Sequence, residues 1–131
     1  MQMIIEHFGL PSKNTRQLAE WYCDKLGFKM ILEGDSDQSL TFIGLGSMVI
    51  EIVPPGPDGS VDNAHANHLA LRVESNAFDM TIESLQQKGI VFEPERSNEL
   101  FGGTRMRFFE DPEGHRIQIL SRKEPSLIDV F

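Results

Sequence analysis

The sequence predicts an α+β fold made of two related halves, each running from a strand to a helix and then to three further strands. Three observations predict it. Each half opens on a short apolar run that contains a histidine, its helix pattern ends at a glycine followed by an apolar residue, and three strand-like runs come after that glycine. The chain has 131 residues, the usual size of one domain, so we expect residues 1–131 to form a single domain.

The first helix is predicted to begin shortly after the apolar run Ile4–Leu10. Asn14 is a candidate N-cap, with Gln17 placed three residues later as in a capping box. The apolar residues that follow recur at helical spacing. They are Leu18, Trp21, Tyr22 and Leu26. Gly27 stands directly after them and before a phenylalanine, which predicts a left-handed helix end.

The second helix is predicted to follow the run Asn67–Val73 in the same way. Ser75 or Asn76 is the candidate cap. The buried stripe of this helix is predicted to be Phe78, Ile82 and Leu85. Gly89, followed by an isoleucine, predicts its end.

Strand-like runs come after each helix. In the first half they read FKMILEG, SLTFIGL and SMVIEIV, and in the second half IVFEPE, TRMRFFE and HRIQILS. Asp111–Gly114 reads DPEG, in which proline and glycine suit a tight turn, so we expect a hairpin between the last two strands. The stretch 54–60 reads PPGPDGS and cannot continue a strand. The resulting boundaries are module one over about residues 3–53, a linker over 54–65, module two over about 66–121 and a C-terminal tail over 122–131.

The charge of the chain restricts its partners. Acidic side chains outnumber basic ones by 20 to 12, and the formal net charge is −8. Because such a field repels phosphate groups and anionic lipid heads, nucleic acid and membranes are poor partners, and a small molecule or another protein chain fits better. Cys23 is the only cysteine, so no intramolecular disulfide is possible. No run resembles a signal peptide or a membrane span, and we expect a cytoplasmic protein.

Polar side chains stand at corresponding places in the two halves, one imidazole on the first strand and one side-chain oxygen on the last. They are His7 and Glu51 in the first half and His68 and Gln118 in the second. Side chains alternate faces along a strand, so Glu51 shares its face with Val49 and Val53. A carboxylate desolvated among valines costs free energy unless a positive charge compensates it.

These four residues predict a divalent metal site. Taken singly, each histidine could be a hydrogen-bonded structural residue, Glu51 could lie on a solvated face, and Gln118 indicates almost nothing. Their joint placement favours ligation by His7, Glu51, His68 and Gln118. Two nitrogens, a carboxylate oxygen and an amide oxygen suit Zn²⁺, Ni²⁺, Co²⁺, Mn²⁺ or Fe²⁺.

At these residues the sequence resembles the vicinal oxygen chelate superfamily, which includes glyoxalase I, bleomycin-resistance proteins, extradiol dioxygenases, fosfomycin-resistance proteins and methylmalonyl-CoA epimerase. The motifs that carry the resemblance are IIEHFGL, the helix end at Leu26-Gly27-Phe28 and the hairpin DPEGHRIQI. The resemblance implies tandem βαβββ modules forming a curled, incompletely closed mixed sheet around a metal-centred cavity. It also implies a homodimer and a small-molecule substrate.

The resemblance leaves several functions open. The leading one is a glyoxalase-I-like lyase or isomerase in which the metal holds vicinal oxygens of the substrate and Glu51 is the catalytic residue that moves a proton. Bacterial glyoxalase I has a glutamate where this chain has Gln118, and an amide cannot accept a proton as a carboxylate does. The alternatives are a binding protein that sequesters a ligand, as bleomycin-resistance proteins do, and an Fe²⁺ extradiol dioxygenase using His7, His68 and Glu51.

Overall fold

The computed structural model describes residues 2–58 and 67–123. They fall into two compact units, one being His7–His68 and the other drawing on Met1–Glu6 and Leu69–Phe131. In chain order the elements are β1 (Ile4–Pro11), α1 (Thr15–Leu26), β2 (Lys29–Leu32), β3 (Thr41–Leu45), β4 (Met48–Val53), β5 (His68–Arg72), α2 (Phe78–Gln87), β6 (Arg96–Asn98), β7 (Thr104–Glu110) and β8 (Arg116–Arg122). The strand, helix and three-strand order therefore occurs twice, as predicted.

In the first unit the strands lie in the order β2-β3-β4-β1. Strand β1 runs parallel to β4, whereas β3 is antiparallel to both β2 and β4. Helix α1 covers one face of this sheet, and Ala19, Ile43 and Ile52 form the buried centre of the contact. The parallel pair matters for the site because it sets the last strand of the module beside the first.

Both predicted ends of α1 are confirmed. The Asn14 side chain accepts a hydrogen bond of 2.9 Å from the backbone N–H of Gln17. At the other end Gly27 has a φ of 80° and its N–H donates to the carbonyl of Cys23. A residue with a side chain is strained at this φ, which explains why the helix ends at a glycine.

The second unit repeats the arrangement. Its strands lie in the order β5-β8-β7-β6, with β5 parallel to β8 and β7 antiparallel to β6 and β8. Helix α2 covers one face, and its predicted stripe is buried. The buried cluster is Val73, Phe78, Ile82, Leu85 and Ile119.

Two local predictions in this half are wrong. Ser75–Ala77 forms a 3₁₀ turn, α2 begins only at Phe78, and neither element has a side-chain cap; the Ser75 hydroxyl donates instead to the carbonyl of Arg122. The run 90–95 is not a strand, and β6 starts at Arg96. The N–H of Glu93 donates to the carbonyl of Phe108 in β7, but Pro94 has no N–H to continue the ladder, and regular pairing starts at Arg96. No helix in residues 2–58 and 67–123 is long and apolar enough to cross a membrane.

Candidate metal centre

His7 lies on β1, and its side chain is completely buried. Because β1 and β4 pair in parallel with His7 opposite Val49, the residue opposite Glu51 is Gly9. Glycine has no side chain, so the carboxylate of Glu51 has room on the face that it shares with His7. Its side chain remains 17% exposed. On its other side Glu51 lies opposite Phe42 of β3.

Phe42 packs against the His7 ring. Phe42 is fully buried, and the two ring centroids are 5.7 Å apart at an interplanar angle of 86°. This edge-on packing is a favoured geometry for aromatic rings. Phe42 therefore lies opposite Glu51 in the strand pairing and also packs against the imidazole of His7.

Three ligand groups converge within the first unit. The Nε2 atoms of His7 and His68 are 3.1 Å apart, His7 Nε2 lies 3.3 Å from Glu51 Oε2, and His68 Nε2 lies 3.9 Å from Glu51 Oε1. One ligand atom from each of His7, Glu51 and His68 lies within 4.8 Å of the others. The His68 side chain is 7% exposed, so the cluster is mostly shielded from water.

The separations suit a shared cation. Two atoms bound to one ion at about 2.1 Å, with bond angles of about 90–109°, lie roughly 3.0–3.4 Å apart. The distances of 3.1 Å between the ring nitrogens and 3.3 Å from His7 to Glu51 fall in this range. Two imidazoles and a carboxylate also form a donor set typical of transition metals. The residues therefore fit a divalent ion by chemistry and by two of the three separations, whereas the 3.9 Å between His68 Nε2 and Glu51 Oε1 is longer than this range.

Gln118, the fourth predicted ligand, lies in the second unit. It stands opposite Ala70, two residues after His68, and opposite Phe108 of β7. Glu51 has the same relation to Gly9 and Phe42, so the repeat holds at these positions. Gln118 is 5% exposed, and its Nε2 donates to Met106 Sδ at 3.2 Å. Among residues 2–58 and 67–123 its Oε1 has no hydrogen-bond partner, which leaves a buried acceptor open. Ligation by Gln118 stays a prediction.

Sequence reasoning missed Glu6. It is 1% exposed and accepts two hydrogen bonds from Arg122, from Nη2 at 2.6 Å and from Nε at 2.7 Å. Arg72 is 1% exposed, and its Nη1 lies 3.4 Å from Oε2 of the same carboxylate. An acidic residue inside the apolar run IIEHFGL was the available signal, because such a group is buried only with a partner.

In the second unit, three carboxyl groups have a lowered pKa because of hydrogen bonds to neighbouring residues. Arg105 donates to Asp79 and Glu95, and these hydrogen bonds hold the pKa of both carboxyl groups below the usual value. In the DPEG turn, the carboxylate of Asp111 accepts hydrogen bonds that lower its pKa. The largest contribution comes from the backbone N–H of His115.

Comparison with known proteins identifies the family. A sequence profile of the Glyoxalase/Bleomycin resistance protein/Dioxygenase superfamily matches residues 4–119. The chain belongs to this superfamily. It is 30% identical over 130 residues to a lactoylglutathione lyase of Salmonella typhimurium, covering 93% of this chain and 95% of the lyase. It is 32% identical over 117 residues to the uncharacterized protein YwkD of Bacillus subtilis, covering 83% of this chain and 89% of the relative.

Solved structures share the fold. A hypothetical protein of Bacillus halodurans superposes with a TM-score of 0.75 at 18% identity, covering 96% of this chain and 99% of that one. Methylmalonyl-CoA epimerase of Mycobacterium tuberculosis gives a TM-score of 0.72 at 21% identity, with 91% and 87% covered. The superfamily includes enzymes, and its members bind small-molecule substrates and divalent metals. The cluster of His7, Glu51 and His68 is a candidate for such a metal site.

Proposed function

We propose that this protein is a metal-dependent lyase or isomerase of the glyoxalase type, acting on a small substrate that presents neighbouring oxygen atoms. The observation that carries the proposal is the convergence of His7, Glu51 and His68 within 4.8 Å in a largely buried position. The 30% identity to a lactoylglutathione lyase supports the reaction class. Zn²⁺, Ni²⁺, Co²⁺, Mn²⁺ and Fe²⁺ all suit the donor set.

Gln118 is proposed as a fourth ligand through its amide oxygen. Its nitrogen is already engaged by Met106, whereas its oxygen has no partner in the described part of the chain. A buried acceptor without a partner costs free energy, and a cation would remove that cost. The neutral amide leaves Glu51 as the single anionic ligand, so a bound divalent ion would keep a net positive charge.

Glu51 is proposed as the catalytic base. It is the only carboxylate in the three-residue cluster, and its partial exposure leaves it accessible to a substrate. A bound divalent ion supplies positive charge that makes a proton beside a carbonyl group easier to remove. Glu51 accepts that proton and returns it to the neighbouring carbon. The buried His7 and Phe42 keep bulk water from this side of the carboxylate.

Metal retention tests the proposal. We expect the purified, reloaded protein to hold about one divalent ion per site and the double variant His7→Ala/His68→Ala to hold none after the same desalting. His115→Ala is the matched control, because His115 is 71% exposed and bonded to Asp111. Loss of the ion from the control to the same extent, or no ion in the unchanged protein, would overturn the site.

A second function has its own supporting observation. Two histidines and one carboxylate form the ligand set of non-haem Fe²⁺ oxygenases, and His7, His68 and Glu51 supply it. Oxygen uptake by the Fe²⁺-loaded protein with catechol, in place of turnover of a methylglyoxal hemithioacetal, would favour the dioxygenase. A ligand-sequestering protein would show neither activity and would not need the ion.

We also propose a homodimer. Superfamily proteins often form dimers, and the first unit exposes large apolar side chains on its sheet. These are Phe8, Leu45 and Met48, exposed by 39%, 46% and 46%. Sedimentation at micromolar concentration should give the mass of two chains, and a monomer alone would refute the proposal.

A cytoplasmic location remains a prediction from the sequence.

A further inference from the structure

In the second unit, the buried amide of Gln118 has apolar partners on both neighbouring strands. Gln118 is 5% exposed, and it lies opposite Ala70 of β5 and Phe108 of β7. Neither of these side chains can form a conventional hydrogen bond with the amide. Met106 precedes Phe108 by two residues on β7, so it lies on the same face of the sheet. Its Sδ accepts a hydrogen bond of 3.2 Å from Nε2 of Gln118.

The sulfur atom of Met106 distinguishes the two ends of this amide. The nitrogen of a glutamine side chain donates hydrogen bonds and its oxygen accepts them, whereas a thioether sulfur only accepts. Rotation of the amide by half a turn would place Oε1 where Nε2 now lies, so two acceptors would face each other across 3.2 Å. The terminal torsion of glutamine is broad and roughly two-fold, so the residue by itself has no strong preference between the two orientations. The contact with Met106 supplies that preference.

The preferred orientation leaves the amide oxygen available. Oε1 of Gln118 is buried and has no hydrogen-bond partner among residues 2–58 and 67–123. A divalent cation binds a side-chain amide through this oxygen, because the N–H groups carry partial positive charge. An ionised glutamate has no N–H to donate to the sulfur, so Met106 favours an amide over a carboxylate at this position.

We infer that Met106 is a positioning residue that holds the Gln118 amide with its oxygen, and not its nitrogen, presented to a ligand. The inference rests on the proposed function, in which this oxygen binds the divalent ion. Both residues belong to the second unit, so their hydrogen bond forms without the ion. An amide that is already oriented does not have to be ordered when the ion binds, which strengthens binding.

A double-mutant cycle on Zn²⁺ affinity tests the inference. Met106→Leu nearly conserves the side-chain volume and removes the acceptor, so a competitive titration should show Zn²⁺ binding weakened by about 3- to 10-fold, the effect of losing one hydrogen bond. In the Gln118→Ala background, Met106→Leu should change the affinity by less than about 2-fold, because no amide is left to orient. Met80→Leu is the matched control and should leave the affinity unchanged, since Met80 is 68% exposed on α2.

NMR of the metal-free protein measures the orientation of the amide directly. We expect a strong nuclear Overhauser effect between the side-chain NH₂ protons of Gln118 and the methyl group of Met106, because this methyl is bonded to the sulfur that Nε2 contacts. The measurement uses the unchanged protein, so it also decides the case in which Met106→Leu fails to fold.

The outcomes separate the inference from the proposed function. Absence of the NMR contact, unchanged Zn²⁺ affinity in Met106→Leu, or an equal loss of affinity with and without Gln118 overturns the inference and leaves the proposed function standing. If the NMR contact is present but the unchanged protein does not retain Zn²⁺, the proposed function fails, and the role of Met106 in ligand binding fails with it.

Discussion

The two modules place different chemistry at corresponding positions. In the first, Glu51 lies between Gly9 and Phe42, and in the second, Gln118 lies between a small residue and a phenylalanine in the same way. Phe42 packs edge-on against the His7 imidazole, whereas Phe108 lies under a guanidinium. The scaffold is therefore repeated while the side chains differ: the first module has a carboxylate at this position, and the second has a neutral amide.

This difference teaches that the fold alone does not determine the reaction. Parallel pairing of the last strand with the first brings an oxygen-bearing side chain beside a histidine-bearing strand in either module. A carboxylate oxygen at this position can accept a proton, whereas an amide oxygen cannot. The proposed division of labour can be tested by changing the two positions separately and together.

The largest effect is expected from Glu51→Gln. This change removes the only carboxylate of the cluster and makes the two modules alike, so we expect turnover of a hemithioacetal to fall by about 10²–10⁴-fold. Steady-state kinetics at saturating metal measures it. Glu83→Gln on α2 is the control and should leave turnover unchanged. A Glu51 variant with at least a tenth of the original kcat would show that the base is elsewhere.

Gln118→Glu should act in the opposite direction. A second carboxylate gives the site another proton acceptor, and we expect kcat to rise about 10-fold in the metal-loaded protein. The exchanged variant Glu51→Gln/Gln118→Glu sharpens the comparison, because it should retain the ion and regain part of the activity lost in Glu51→Gln. Unchanged or lower activity of the single variant, with metal content maintained, would argue against the glyoxalase assignment.

The two phenylalanines provide a matched pair. Phe42→Leu and Phe108→Leu each remove buried aromatic volume, so both should lower the free energy of unfolding by roughly 1–2 kcal/mol. Only Phe42→Leu should also weaken Zn²⁺ binding, by about 5-fold, because only Phe42 orients His7. Urea unfolding and a competitive Zn²⁺ titration measure the two effects. Equal loss of Zn²⁺ affinity in both variants would show that the support of His7 is not specific.

The smallest effect concerns the turn that leads into β8. Hydrogen bonds from His115 lower the pKa of Asp111, so this carboxylate stabilises the folded state above the usual carboxyl pKa of about 4, and the contribution is lost as the pH falls through the lowered value. Asp111→Asn should therefore lower the urea midpoint at pH 7 and differ little from the unchanged protein at pH 2. A difference that stays constant with pH would contradict this.

The sequence predicts much of the fold because its strongest signals are local. The Asn14 cap and the Gly27 helix end depend on residues within one turn of each other, and both are confirmed. Period-two alternation together with the repeat was sufficient to propose His7, Glu51 and His68 jointly, and the structure brings these three together.

The remaining features depend on contacts between residues distant in sequence. Glu6 and His7 are consecutive and both buried, while Ile5 is 48% exposed. Buried and exposed residues therefore do not alternate strictly along β1. Nothing near Glu6 in the sequence indicates that Arg122 is its partner.

Anomalous diffraction from crystals of the Zn²⁺-loaded protein tests the central claim most directly. The account predicts one strong peak at the zinc edge about 2.0–2.2 Å from the Nε2 atoms of His7 and His68 and from a carboxylate oxygen of Glu51. A peak that lies at other residues, or no peak near these three in a fully loaded protein, would contradict it.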